Sequence, residues 1–401
     1  MQSDDRPSAT PPPWQTDPAQ FGSPSAHAAP PRVAHPFFGH LDAATPRSMC
    51  VPVLIAINVL VYVAMVVRGV NWWMPTADET IRWGVDFWPL TTTGEWRRLL
   101  TSAFVHFGIF HIALNMWALY AVGKFTERLF GNVFFLLIYL MTAVLSGLSS
   151  IWWNHAAAAA GASGAIFAIY GALMAYLLFQ RAAFPTGAVA RLLRSTTGFV
   201  LLNIVFGFSV TGISNAAHLG GLASGFILGA VMARPLNPER RRRQTIPKLL
   251  AGVALGTAMT VAGIALIPKA TPQQRAEVDY PMVLSELAPD QARAETAADT
   301  LFAQLKSGQL KEEQFADRLD QQVIPIWTHI AARLEAIPIA KDSQQHDSYQ
   351  AALRGSEIIR DTYSQLSAGL RSKDPAKRKH AEALMHLFRQ PATQPTTEPA
   401  E

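Results

Sequence analysis

The chain has a single cysteine, Cys50, in 401 residues. An intramolecular disulfide is therefore impossible, and no second thiol stands at metal-ligand spacing to build a zinc-thiolate site. Charge is also scarce. Asp, Glu, Lys and Arg make up 16% of the residues against 50% apolar ones, and mean hydropathy is +0.15, a balance seldom reached by soluble globular chains. A secretory signal with a basic start and an apolar run is missing too. Residues 1–47 are instead rich in Pro, Ala and Ser, too poor in apolar surface to pack, and are expected to form a disordered tail.

What the chain does have is apolar runs of about 20 residues, long enough as helices to cross a hydrocarbon core. Seven candidate spans fall near 51–67, 102–122, 132–153, 162–180, 197–213, 216–233 and 248–267. The fold class expected is an all-α polytopic membrane protein. Lys124, Arg128, Arg181, Arg191, Arg194, Arg234 and the run Arg240 to Arg243 share one side of such a bundle, whereas no Lys or Arg lies between spans three and four or five and six. By the preference of basic residues for cytoplasmic loops, the N-terminus is cytoplasmic. A seventh crossing then puts the chain after Lys269 on the far side. There, Phe315, Leu319, Val323 and Trp327 recur at three- and four-residue steps, as do Tyr363, Leu366 and Leu370, which predicts a soluble helical domain. The organisation expected is a tail (1–47), a six-span core (48–235), a basic cytoplasmic linker (236–247), a seventh span (248–268), a helical domain (269–390) and a second disordered tail (391–401).

Polar side chains inside the spans are few, and each is costly in lipid. Ser163, in Gly161-Ala162-Ser163-Gly164, heads span four, where free first-turn N–H groups can receive negative charge. By itself such a segment also reads as helix packing. His218 heads span six, one turn before Gly221, and Gly221, Gly225 and Gly229 form a smooth strip suited to close helix approach. If the partner is span four, the imidazole meets the Ser163 hydroxyl. His111 and Asn115, four apart in span two, share one helix face and could serve as interhelical glue or as oxyanion donors. No Asp or Glu lies within spans four or six to complete a triad.

These residues resemble the rhomboid family of intramembrane serine proteases in four segments: Glu95-Trp96-Arg97-Arg98, His106 to Asn115, Gly161 to Gly164, and His218-x-x-Gly221-x-x-x-Gly225. The resemblance covers about residues 50–233. It implies a six-helix core, a dyad in a water-filled cavity and cleavage of membrane-anchored substrates. By position, Ser163 is then the nucleophile and His218 the base. His111, Asn115 and the backbone N–H groups of Ser163 and Ala162 form the oxyanion hole. Gly161, Gly164, Gly221 and Gly225 support the packing, Trp96 and Arg97 match a structural pair of the first loop, and His106 matches a structural histidine. Phe167 stands where family members often carry Tyr, so packing against the imidazole is kept without a hydroxyl. The resemblance implies no metal and no cofactor; single-pass membrane proteins are the expected substrates, the bilayer the partner, and nucleic acid none. The setting expected is a bacterial inner membrane, and the oligomeric state is open. A catalytically inactive relative that binds membrane helices is the competing reading. A transporter would need intramembrane charge along a path, and spans four to six offer only Asn203, Asn215 and His218.

Overall fold

The computed structural model describes residues 36–209 and 213–389; residues 1–35 of the tail expected over 1–47, and the tail expected over 391–401, lie outside them. Helix α1 (Pro36–Ala44) precedes α2 (Cys50–Val67), and the first loop holds three short helices, α3 (Ala77–Arg82), α4 (Trp88–Thr91) and α5 (Arg98–Thr101). The bundle continues with α6 (Ile109–Phe130), α7 (Asn132–Trp153), α8 (Ser163–Phe179), α9 (Ala188–Ser209), α10 (Asn215–Met232) and α11 (Pro238–Leu266). Five of these helices are long and apolar enough to cross a membrane; α6 joins them if it is taken with the bent segment before it, and α8 is apolar but shorter. The chain is therefore an all-α polytopic membrane protein with a seventh helix beyond a six-helix core. Among the described residues the only β feature is the isolated bridge Asp86↔Ala159.

Helix α8 is the axis of the bundle. Thirteen of its 17 residues are buried, and at ~1.5 Å per residue it spans only ~25 Å of a ~30 Å hydrocarbon layer. On one side α10 lies against it with small residues at the contact. A Cβ added to Gly221 would overlap the Gly164 carbonyl, one on Gly225 the Ala168 backbone, and one on Gly171 the Leu222 carbonyl. Close backbone approach is the means by which membrane helices gain dispersion contacts where no hydrophobic force drives them together.

Several boundaries differ from the sequence expectation, each for a local reason. Span two begins at Ile109, not near 102, because Gly108 takes φ +97° and Ser102–Phe104 form a separate 3-10 turn. It runs on to Phe130 because Glu127 is fully buried and accepts from the Cys50 and Val51 N–H groups at 2.6 and 3.0 Å, capping the start of α2. Span five starts early, at Ala188. Residues 36–44, read as tail, form α1, with Phe37 and Leu41 buried one turn apart and Phe37 against the Phe184 ring. Nor is 236–247 a plain linker, since 238–247 are the first turns of α11. Arg241 there is buried and donates to the Leu129 carbonyl at 3.0 Å, while buried Arg234 donates to that of Phe130. The two guanidiniums thus satisfy the orphan carbonyls at the end of α6.

After α11 the chain returns over the first loop. Trp88 Nε1 donates to the Pro268 carbonyl at 2.8 Å, and the Ala270 N–H donates to Thr92 Oγ1 at 3.0 Å. Thr271 then opens α12 (Pro272–Lys306) with a capping box closed by Gln274 and Pro at the first helical position. Helices α13 (Glu312–Gln322), α14 (Ile324–Glu335), α15 (His346–Arg371) and α16 (Pro375–Arg389) complete a second core around Phe315, Leu319, Trp327, Tyr363 and Leu366.

Candidate active site

Ser163 is the first residue of α8, and the loop before it turns at Gly161, whose φ of +110° favours glycine. A Cβ there would also strike the His111 ring. The Gly161 N–H donates to the Ser102 carbonyl at 2.9 Å, which ties this loop to the segment leading into α6. From the other side, Ser214 caps α10 by accepting from the Ala217 N–H at 3.2 Å, and its hydroxyl lies 2.8 Å from that of Ser150 on α7. The cap sets the first turn of α10, and His218 stands in that turn.

His218 Nε2 lies 3.0 Å from Ser163 Oγ. Phe167, one turn below the serine, stacks on the imidazole at 4.2 Å with planes 3° apart. The pairing leaves Nε2 facing the hydroxyl and holds the ring against rotation. His218 Nδ1 is buried and has no hydrogen-bond partner among the described residues. His111 accepts the Phe107 N–H at Nδ1, 3.2 Å away. A neutral ring fixed in that way carries its proton on Nε2, the atom nearest Gly161 after Cε1. Asn115 is buried and gives one amide hydrogen to the His111 carbonyl at 2.8 Å, which leaves the other available. Ser163, His218, His111, Asn115, Gly161 and Phe167 all line one cavity of about 690 Å³, with Asn203 and Ser146 on its wall. Ala162 is fully buried at the head of α8 and Gly164 packs against Ser146 of α7. Among the described residues no cluster of three His, Cys, Asp or Glu could hold a metal ion.

The first-loop pair reads differently in the structure. Trp96 is half-buried against the main core, but the Arg97 side chain is 67% exposed and pairs with Glu95. The buried arginine is Arg98, which donates to the Ile81 and Val85 carbonyls at 2.7 and 3.1 Å and to Glu95 at 3.0 Å. Two adjacent arginines gave the sequence no means of choosing between them. His106 is fully buried with its ring 5.1 Å from that of His111, edge to face.

Asp86 escaped the sequence reading altogether. Its backbone exchanges both hydrogen bonds with Ala159, at 3.0 and 2.8 Å, and so pairs the first loop with the loop entering Ser163. Its carboxyl is fully buried, accepts from Thr91 Oγ1 at 2.7 Å, and has Oδ2 unpartnered among the described residues. Burial raises its pKa to about 7, with the Thr91 hydrogen bond and Arg98 opposing the rise. A carboxyl that holds its proton longer folded than unfolded takes up a proton on folding between its two pKa values. Stability therefore falls as pH rises from about 4 to about 7 and is flat above. Asp86→Asn removes this slope. Thermal unfolding should show the variant more stable than the parent at pH 8, on the order of a few kcal/mol, and matched to it at pH 4; equal pH slopes for the two would contradict the assignment.

The family model for the rhomboid domain matches residues 93–235. The rhomboid protease GluP of Bacillus subtilis is 34% identical over 203 residues, covering 50% of this chain and 38% of that protein. RHOMBOID-like protein 1 of Arabidopsis thaliana is 36% identical over 140 residues, covering 34% of this chain and 35% of that protein. The rhomboid protease AarA of Providencia stuartii is 27% identical over 186 residues, covering 41% and 65%. The chain thus spans well under half the length of the first two relatives. Its matched segment contains Ser163, His218 and the helices that join them, and that segment, residues 93–235, is a rhomboid domain.

Proposed function

We propose that this chain is an intramembrane serine endopeptidase that hydrolyses peptide bonds in or beside the transmembrane segment of single-pass substrates. The reading is carried by one observation, the 3.0 Å approach of His218 Nε2 to Ser163 Oγ on the wall of a cavity. In this reading His218 takes the Ser163 proton as Oγ attacks the carbonyl carbon, and returns it to the leaving amine; water then releases the acyl group by the same steps. The oxyanion receives the second Asn115 amide hydrogen, His111 Nε2–H and the first-turn N–H groups at Ala162 and Ser163. Such preset donors typically contribute ~10² to 10³ each in turnover. Water is needed at a depth where lipid would otherwise sit, and polar groups persist there only when enclosed by protein. The N-terminus is cytoplasmic and the C-terminal domain extracytoplasmic in this reading, which suits a bacterial inner membrane.

The test is a fluorophosphonate probe on the full chain in detergent, with the adduct mapped by mass spectrometry. Label at Ser163 is the expected result. A chain that binds a transmembrane peptide yet takes no label would favour the inactive, helix-binding alternative.

A further inference from the structure

The segment from Pro268 into α12 is bonded to the first loop and packs against the same apolar cluster as the loop that leads into Ser163. Arg275 donates from Nη2 to Glu95 Oε1 at 2.7 Å and from Nη1 to Thr93 Oγ1 at 3.0 Å, while its Nε is held by Asp279 at 2.8 Å. Glu95 uses its other oxygen to hold Arg98, and Arg98 fastens the carbonyls of Ile81 and Val85. The next residue, Asp86, is the one paired with Ala159. A parallel tie runs from Pro268 to Trp88, whose ring stacks at 4.5 Å on His155 of the same serine-bearing loop. Val278 and Met282 of α12 complete the contact, packing with Ala158 and Ala160 into the apolar cluster of Val70, Ile81 and Val85. Arg275 and Glu95 are both largely shielded, at 26% and 18% side-chain exposure, so their pairing is less screened than a free surface pair.

We propose that Arg275 is a positioning residue for the Ser163 site: through Glu95 and the first loop, the C-terminal helical domain braces loop 154–162 and so sets the reactivity of the serine. The proposal rests on the hydrolase reading for its effect on rate, but not for its effect on the loop. A brace of this kind gives the domain a use in the chemistry without any of its residues entering the cavity. A movement of α12, by whatever the domain binds, is then transmitted to the turn at Gly161 as a change in one buried network. Two sites linked in this way share a single structural element whose position both can bias.

The test compares the full-length parent with Arg275→Ala, Arg275→Lys and Thr92→Val. The last removes the acceptor for the Ala270 N–H at nearly constant volume and leaves the arginine in place. Hydrogen–deuterium exchange of residues 155–162 should quicken in Arg275→Ala and Thr92→Val and return towards the parent in Arg275→Lys. Fluorophosphonate labelling should slow by about 10- to 100-fold in Arg275→Ala, the scale expected for a misplacement of up to ~1 Å at a reacting group. Arg293→Ala, which removes an exposed ion pair further along α12, should match the parent in both measurements. Parent-like exchange at 155–162 in both Arg275→Ala and Thr92→Val would overturn the proposal. If the parent itself takes no label, the hydrolase reading fails while the exchange comparison still decides whether the brace exists.

Discussion

Ser163→Ala, His218→Ala and the double substitution are expected to lower cleavage of a transmembrane reporter by nearly the same factor, on the order of 10⁴ or more. In the proposed mechanism the two side chains act as one unit. The hydroxyl is a poor nucleophile without a base 3.0 Å away, and the imidazole has nothing to activate once the hydroxyl is gone. Removing the second partner after the first should therefore cost little, and the residual rate in all three would reflect binding and the oxyanion donors alone. Full additivity of the two single effects would mean that they act in separate steps. Retained cleavage in Ser163→Ala would remove the proteolytic reading outright. Ser163→Ala removes one hydroxyl and should leave insertion and unfolding temperature nearly unchanged, so its loss of rate can be assigned to chemistry; His218→Ala also removes the ring stacked on Phe167 and is read beside its unfolding temperature.

Gly221→Val should abolish labelling of Ser163 by a different route. A Cβ at this position would occupy the space of the Gly164 carbonyl, and that carbonyl belongs to backbone, which cannot rotate away like a side chain. The helices must shift until the added Cβ and the carbonyl oxygen reach ordinary contact beyond 3.4 Å, and overpacking a tight contact usually costs ~1 to 3 kcal/mol. The functional effect expected is larger than that, since Gly221 lies one turn from His218 and Gly164 is next to Ser163, so the parting opens the 3.0 Å contact between Ser163 and His218. Gly198→Val on α9, where an added Cβ meets nothing within 4 Å, is the matched control and should label normally. Equal labelling of the two variants would show that the close contact of α8 with α10 does not set the geometry of the site.

The spans were legible because lipid demands unbroken apolar runs, and the small-residue strip on α10 marked a close helix contact whose partner, α8, only the structure supplies. Charge misled at the ends. Lys124, Glu127 and Arg128 look like the end of span two, yet α6 continues past them, because buried Glu127 is spent on the N–H groups of α2. Arg241 likewise looks solvated within a basic run and is instead bound to a helix end. A sequence pattern records that a residue is charged but not which orphan backbone group will take it up. The same limit hid the pairing of Arg275 with Glu95, 180 positions away, and Asp86, which carries no spacing signal. At the candidate site, Ser163, His218, His111 and Asn115 were found because each is a polar residue set in apolar surroundings. Arg98 was not, because its neighbour Arg97 carries the same charge.

The burial of α8 also bears on how bilayer thickness acts on this molecule. Helices that face lipid answer hydrophobic mismatch by tilting or by thinning the membrane around them, and α2, α9 and α11 are placed to do so, with only 28%, 17% and 11% of their apolar windows buried. Most of α8 is instead buried by its protein neighbours, so its depth is referred to them more than to the headgroups. On the hydrolase reading, the height at which a substrate is cut would then be measured from the bundle itself, and would stay constant between thick and thin membranes while the outer helices adjust.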